Sequence, residues 1–425
     1  MSKISSKRSP SAPASKSKRQ KQTAPADLPA IAGFQFTGIR CGIKEKGLDL
    51  ALMVGDEPVA AAGVFTTSTV PGAPVLVSRD RVAMGHVRGV VVNSGCANVA
   101  LGKRGISDAQ KMAAVAARAV DCQPAEMLVA STGVIGEPLP LDLLNEGIPK
   151  AANALSEDGL GLASKAILTT DLVAKTAQAR ISIEGSDVNL VGIAKGSGMI
   201  EPNMATMLAF VFTDACATPA YLRSVLKDVT NDTFNRVSVD GEGSTSDMTL
   251  LFASGRAEHG RLTQAARGKV AGAKRFETAL GEVCEQLAKA IARDGEGATK
   301  LIEVSVSGAA SQADAELAAR RIANSMLVKT AIFGGDPNWG RILQTVGAAG
   351  IPIVLERAEV QLAGIPLFQR GGALGEKARK AAEKQLSDRE EVEITVHLGA
   401  GKAQARVWTC DLSYDYVRIN AEYHT

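Results

Sequence analysis

The run Lys195-Gly196-Ser197-Gly198-Met199-Ile200-Glu201-Pro202-Asn203-Met204-Ala205-Thr206 holds a lysine, two glycines and a proline, and is followed by the apolar stretch Met207 to Phe212. That pattern predicts a tight loop delivering Thr206 to the mouth of a buried strand. A threonine hydroxyl is a poor nucleophile until a base removes its proton, and no histidine lies nearby in sequence to do so. Cutting the bond between Ala205 and Thr206 would supply the base internally. A free α-amine has a pKa of about 7.7 to 8.0, well below the ~10.4 of lysine, so a useful fraction is neutral near pH 7. Nucleophile and base would then be one residue. The methyl side chain of Ala205 leaves the preceding carbonyl open to attack. The plainer reading makes Thr206 an ordinary β-branched residue at a strand start.

The elements that must position this threonine follow from composition and pattern. The chain has 425 residues, 45% hydrophobic, with 42 glycines and only 4% aromatics. It is long enough for a large core in two domains or one large layered one, and its small side chains suit close helix-on-sheet packing. Residues 1–28 are basic, Ser-rich and almost without large apolar side chains, so a flexible tail is expected, ahead of a transit peptide.

Short apolar runs at 34–41, 48–54, 59–65, 89–93, 127–130, 179–184, 188–194, 248–253, 301–306, 353–355, 392–398 and 403–410 predict strands. Helices are expected from Ser107 as N-cap to Val120, over 141–155 and 158–167, from Thr218 to about Asn235, and over 263–292, 313–326 and 375–386. Strands and helices mix without a strict βαβ rhythm, which predicts an α+β class rather than a doubly wound parallel sheet.

The same inventory excludes several functions. The net charge of +3 gives the folded part no reason to bind nucleic acid. No apolar run approaches the ~20 residues of a membrane span. Cys41, Cys96, Cys122, Cys216, Cys284 and Cys410 form no CxxC pair, and the four histidines show no ligand spacing. Free thiols in a reducing, cytoplasmic compartment and no catalytic metal are therefore expected. Cys96, in Asn93-Ser94-Gly95-Cys96, invites a nucleophile reading that no adjacent histidine supports. Gly295-Glu296-Gly297-Ala298-Thr299-Lys300 fails as a phosphate loop, lacking the upstream glycine and the Ser or Thr after the lysine. The oxygen-rich segment 240–247 lacks the spacing of an EF-hand. Asp336 to Arg341 either shapes a site or starts a helix at Asn338. Thr132-Gly133, after a predicted strand, offers a hydroxyl and unhindered backbone N–H groups for an oxyanion.

The run from Lys195 to Phe210 resembles the signature of the glutamate N-acetyltransferase (ornithine acetyltransferase) family, and the resemblance covers nearly everything after residue 30. It implies a helix-sheet-sheet-helix sandwich, self-cleaved between Ala205 and Thr206 into chains 29–205 and 206–425 behind the tail. Thr206 would take acetyl from N-acetyl-ornithine and pass it to glutamate, with Thr132 and Gly133 holding the oxyanion. Thr169, Lys195, Glu296, Asn420 and Thr425 match substrate contacts: Lys195 for a carboxylate, Glu296 for a cationic amine. It also implies no resident cofactor, acetyl-CoA as an additional donor in some members, and a heterotetramer of two chains of each kind. A self-cleaving aminopeptidase or amidase is the alternative activity.

Overall fold

The computed structural model describes residues 28–201 and 207–422; the expected tail up to residue 27, together with Ala205, Thr206 and Thr425, lies outside the described residues. The first sheet contains β1 (Phe34–Ile39), β2 (Leu50–Phe65), β3 (His86–Cys96), β4 (Met127–Val134), β5 (Lys175–Ile183), β6 (Ser186–Lys195), β7 (Leu208–Thr213) and β8 (Met248–Ala253). Its order is β4-β3-β2-β8-β7-β6-β5, with β1 paired to β2 beside the main path. The second holds β9 (Leu301–Ala309), β10 (Glu359–Leu362), β11 (Ile365–Gln369), β12 (Gly372–Ala373), β13 (Glu391–His397) and β14 (Ala403–Cys410), in the order β12-β11-β10-β13-β9-β14.

Period-two alternation sorts the first sheet into two faces. Val90 and Val92 of β3, Leu128 and Ala130 of β4, and Phe210 and Phe212 of β7 share one inner core. Val91, Met127 and Val129 point the other way, onto helices Gly102–Ala119 and Leu141–Asn153. Ala209 and Val211 pack outward onto helices Pro219–Asp232 and Ala271–Arg293. The inner face is closed because β2 shifts register on β3 between Val54 and Val59, after which its second half pairs β8. Beyond that bend the sheet folds over on itself. Phe34 and Phe36 of β1 meet the ring of Phe212 on β7 at 5.2 and 4.9 Å, edge-on, across strands that are not hydrogen-bonded. The result is a helix-sheet-sheet-helix sandwich of α+β class, as expected.

Helix Ala271–Arg293 joins the two sheets. Its apolar stripe, from Phe276 through Leu280 and Val283 to Ile291, is buried with Leu190 of β6 and with Trp408 of β14. Each such side chain contributes roughly 1.5–3 kcal/mol by leaving water. Gly192 of β6 is what lets the helix sit so close, since a β-carbon there would lie 2.7 Å from Leu287.

Several boundaries differ from expectation. The helix assigned to start at Ser107 begins at Gly102, because Asp108 lies in its body, paired one turn back with Arg104 at 3.5 Å and forward with Lys111 at 3.4 Å. Residues 263–270 are not helical beyond a single 3-10 turn, Gln264–Ala266; Gly268 in the left-handed region breaks them off. The expected strand 353–355 is a loop, since Pro352 offers no donor and Val354 alone bonds Leu398. Helices Ala73–Val82 and Met326–Phe333 and the hairpin β10–β11 are additional elements. Thr218 does cap its helix, accepting from the amide of Tyr221 at 3.3 Å.

Candidate active site

Lys195 is the last residue of β6, and Thr132 lies near the end of β4. In the sheet order these strands stand five places apart, about 24 Å if the sheet were flat. Fold-over instead brings Lys195 Nζ to 3.0 Å from Thr132 Oγ1 and 2.9 Å from Thr169 Oγ1, donating to both. Three residues singled out by the sequence thus meet at one buried point; Lys195 is 3% exposed and Thr132 2%. The approach of β3 to β4 requires glycine. Gly133 has φ +128 and sits opposite Gly95 in parallel register, and a β-carbon on it would overlap the Gly95 backbone.

Beneath Lys195 runs a charge network. Asp171 accepts from Lys175 Nζ at 2.6 Å, from the amide of Gly196 at 2.7 Å and from the amide of Thr169 at 3.1 Å. Lys175 also donates to Asp294 at 2.7 Å, and Asp294 accepts from the amide of Leu172 at 3.0 Å. Lys175 and Asp171 side chains are fully buried and that of Asp294 is 7% exposed. Burial pushes the Asp171 carboxyl up, but the ammonium groups of Lys175 and Lys195 outweigh it and hold it well below the usual carboxylate range. For Asp294 burial wins over Lys175 and its carboxyl is raised. Lys195 is pulled down by burial, with Asp171 opposing. The two lysines and two aspartates balance in formal charge, which is the condition for keeping them out of water.

The same network grips the glycine-rich loop. Ser197 donates its hydroxyl to the carbonyl of Asp294 at 2.7 Å, and its own carbonyl accepts from the amide of Glu296 at 2.9 Å. Asp240 accepts from the amides of Met199 and Ile200 at 2.7 and 2.8 Å. Gly198 lies against the Glu296 carboxylate so closely that any side chain would overlap it. Glu296 is 9% exposed and accepts from Asn420 Nδ2 at 2.9 Å, so two further expected residues meet. Asn420 belongs to helix Tyr414–Glu422, which makes the end of the described chain a wall of the site rather than a frayed terminus. On the far side of residues 202–206, Met207 donates its amide to the buried carboxylate of Asp247 at 2.8 Å.

Sequence reasoning gave no role to Asp171, Lys175 or Asp294, and met Asp240 and Asp247 only as the ends of a segment rejected as an EF-hand. Only Lys175, four residues from Asp171, carried a local signal of pairing. Other motifs go elsewhere. Cys96 is buried, its thiol pushed up by burial and donating to the carbonyl of Glu137 at 3.1 Å, which suits an inert thiol. Asn338 caps helix Trp339–Ala348, and Trp339 packs on Phe368 at 5.1 Å. Gly297 has φ +71 and is pressed against helix Tyr414–Glu422, where a β-carbon would overlap the backbone of Tyr416.

Comparison with known proteins matches this chain to a family. The ArgJ family model matches residues 35–425. The arginine biosynthesis bifunctional protein ArgJ of Symbiobacterium thermophilum is 46% identical over 399 residues, covering 93% of this chain and 98% of that protein. Its counterpart from Synechococcus is 47% identical over 408 residues, covering 94% and 97%. A solved structure of the Bacillus halodurans ArgJ protein covers 49% of this chain and 96% of its own at 43% identity, with a TM-score of 0.47. With nearly its whole length matched, this chain belongs to the ArgJ family.

Proposed function

We propose that the cluster around Lys195 serves acetyl transfer through Thr206, in a chain that cuts itself between Ala205 and Thr206 into segments 29–205 and 206–425. The chain is an acetyltransferase of arginine biosynthesis, a glutamate N-acetyltransferase. Thr206 attacks the acetyl carbonyl of N-acetyl-ornithine while its free α-amine takes the hydroxyl proton, ornithine leaves, and glutamate collects the acetyl group in the second half-reaction. The observation that carries this reading is the pair of bonds from Lys195 to Thr132 and Thr169. By donating to Thr132 Oγ1, the ammonium turns the hydroxyl hydrogen of Thr132 outward, where it is available to an oxyanion beside Gly133. An ammonium has three donors and two are used among the described residues, so the third suits the α-carboxylate that donor and acceptor share. Glu296, held by Asn420, is placed to meet the cationic end of ornithine.

In this reading no metal or cofactor is resident, and acetyl-CoA acts as a second donor, giving the bifunctionality in the relatives' name. Thr425 completes the substrate contacts, the cut chains assemble as a heterotetramer of two of each, and the enzyme works in the cytoplasm. Among the described residues no helix is long and apolar enough to cross a membrane. The test is incubation with N-acetyl-ornithine, with and without glutamate, alongside N-terminal sequencing of the purified protein. N-acetylglutamate formed by material with a new amino end at Thr206 supports the reading. Acetate released equally without glutamate would mean an amidase, and full transfer by an uncut chain would remove the amine as base.

A further inference from the structure

Asp247 is buried, one register step from the nucleophile position, and unused by the reaction described above. Leu208 pairs with Met248 in parallel β7–β8, and the amide of Met248 bonds the carbonyl of Met207 at 3.1 Å, so the register sets Asp247 beside Met207. Oδ1 accepts the Met207 amide at 2.8 Å. Among the described residues Oδ2 is buried without a hydrogen-bond partner, which for a side chain 0% exposed is costly unless that oxygen has a function. The nearby Thr66 spends its hydroxyl hydrogen on the carbonyl of Ser244 at 2.7 Å. The nitrogen of residue 206 is tied to that of Met207 through one residue, a span of about 3–4 Å by backbone dimensions.

We propose that Asp247 is the proton donor to the Thr206 nitrogen when the Ala205–Thr206 bond breaks, an inference that rests on Thr206 being the self-cleaving nucleophile. In the step, Thr206 Oγ1 bonds to the Ala205 carbonyl carbon and its proton passes to water. As the carbonyl re-forms, the bond to nitrogen breaks and Asp247 Oδ2 gives the nitrogen the proton it needs to depart as an amine. Asp247 is then reprotonated from water, and a second water hydrolyses the ester to the Ala205 carboxylate and the free Thr206 hydroxyl. A donor must hold its proton near neutral pH, and burial pushes the Asp247 carboxyl well above the ordinary range, against the opposing pull of the Met207 amide and of Lys195.

The test is a chase of freshly synthesised full-length chain, following appearance of the two fragments at several pH values. Asp247→Asn keeps an oxygen for the Met207 amide but has no proton of suitable acidity to give, so cleavage should slow by about a hundredfold or more. The wild-type rate should fall as pH rises through the Asp247 pKa, while the residual rate of the variant should not follow that limb. The wild-type profile needs no variant, so a misfolded Asp247→Asn chain leaves the inference testable. Wild-type-rate cleavage by the variant, or a wild-type rate that rises steadily with pH, would overturn it. A wild-type chain that never cuts at Ala205 would instead overturn the nucleophile assignment on which it rests.

Discussion

The ammonium of Lys195 and the hydroxyl of Thr132 meet at 3.0 Å although their strands stand five places apart in one sheet. The bond therefore exists only once the sheet has folded over at β2. Assembly of the candidate site is coupled to the closing of the inner core, where Phe34 and Phe36 meet Phe212 edge-on. A chain with both halves formed but not closed would hold every site residue and have no site. If self-cleavage uses the same Thr132 hydroxyl, as proposed, it becomes a reporter of completed folding.

Thr132→Ala should lower both the rate of self-cleavage and kcat of acetyl transfer by roughly 10²–10³, the usual cost of one lost oxyanion donor. Thr132→Ser retains the hydroxyl and should retain most of both rates. Fragment appearance on a denaturing gel and steady-state assays of the cut enzyme separate the two effects. Equal loss with Ser and Ala would assign the role of Thr132 to its methyl group and packing.

Lys175→Met should destabilise the fold by about 3–5 kcal/mol, since it leaves Asp171 and Asp294 buried without their shared cation. Urea unfolding measures it through the shift of midpoint at unchanged slope. A change below about 1 kcal/mol, the range of an exposed ion pair, would mean that water reaches the network.

How far the sequence disclosed this arrangement depends on the range of the contacts. Thr132, Thr169 and Lys195 announce themselves through local motifs, and the structure joins them. Asp294 does not, because 119 residues separate it from Lys175 and no local pattern marks their buried ion pair. The hairpin of β10 and β11 was missed for a different reason. Its two-residue turn is Ala363-Gly364, both with positive φ, and alanine at such a position lacks the Asn or Asp signature of a type I′ turn. The helix beginning at Gly102 was started late because Ser107-Asp108 looks like a cap, whereas Asp108 is paired with Arg104 inside the helix. The order β4-β3-β2-β8-β7-β6-β5 crosses long stretches of chain, which periodicity cannot report.

Asp247→Asn should also change stability in a pH-dependent way. The folded carboxyl has its pKa raised by burial, while the unfolded one titrates near 3.9. A group raised on folding contributes stability that is fully present below the unfolded pKa and is lost as pH rises toward the folded pKa. The variant does not titrate there. It should match the wild type near pH 3 and become increasingly more stable relative to it as pH rises, levelling off above the folded pKa. Denaturant melts at pH 3, 5 and 7, made in a Thr206→Ala background so that all chains are uncut, provide the comparison. A difference that shrinks with rising pH would show that the Asp247 carboxylate is stabilised by the fold.

Glu296→Gln tests whether charge or shape selects the donor. The amide keeps the size of the carboxylate and can still accept from Asn420 Nδ2, whose bond to Glu296 is 2.9 Å. It loses only the negative charge offered to the side-chain ammonium of N-acetyl-ornithine. A hydrogen bond to a charged partner contributes about 1.5–3 kcal/mol, so KM for the donor should rise by roughly tenfold to a hundredfold. Glutamate carries no cation at that end, and its KM should stay within about twofold or fall, since a like charge has been removed. Gly198→Ala, which drives the carboxylate from its place without changing its charge, should mimic the loss on the donor side only. Equal increases for both substrates in either variant would mean that Glu296 shapes the loop from Gly196 to Glu201 and does not read the substrate's charge.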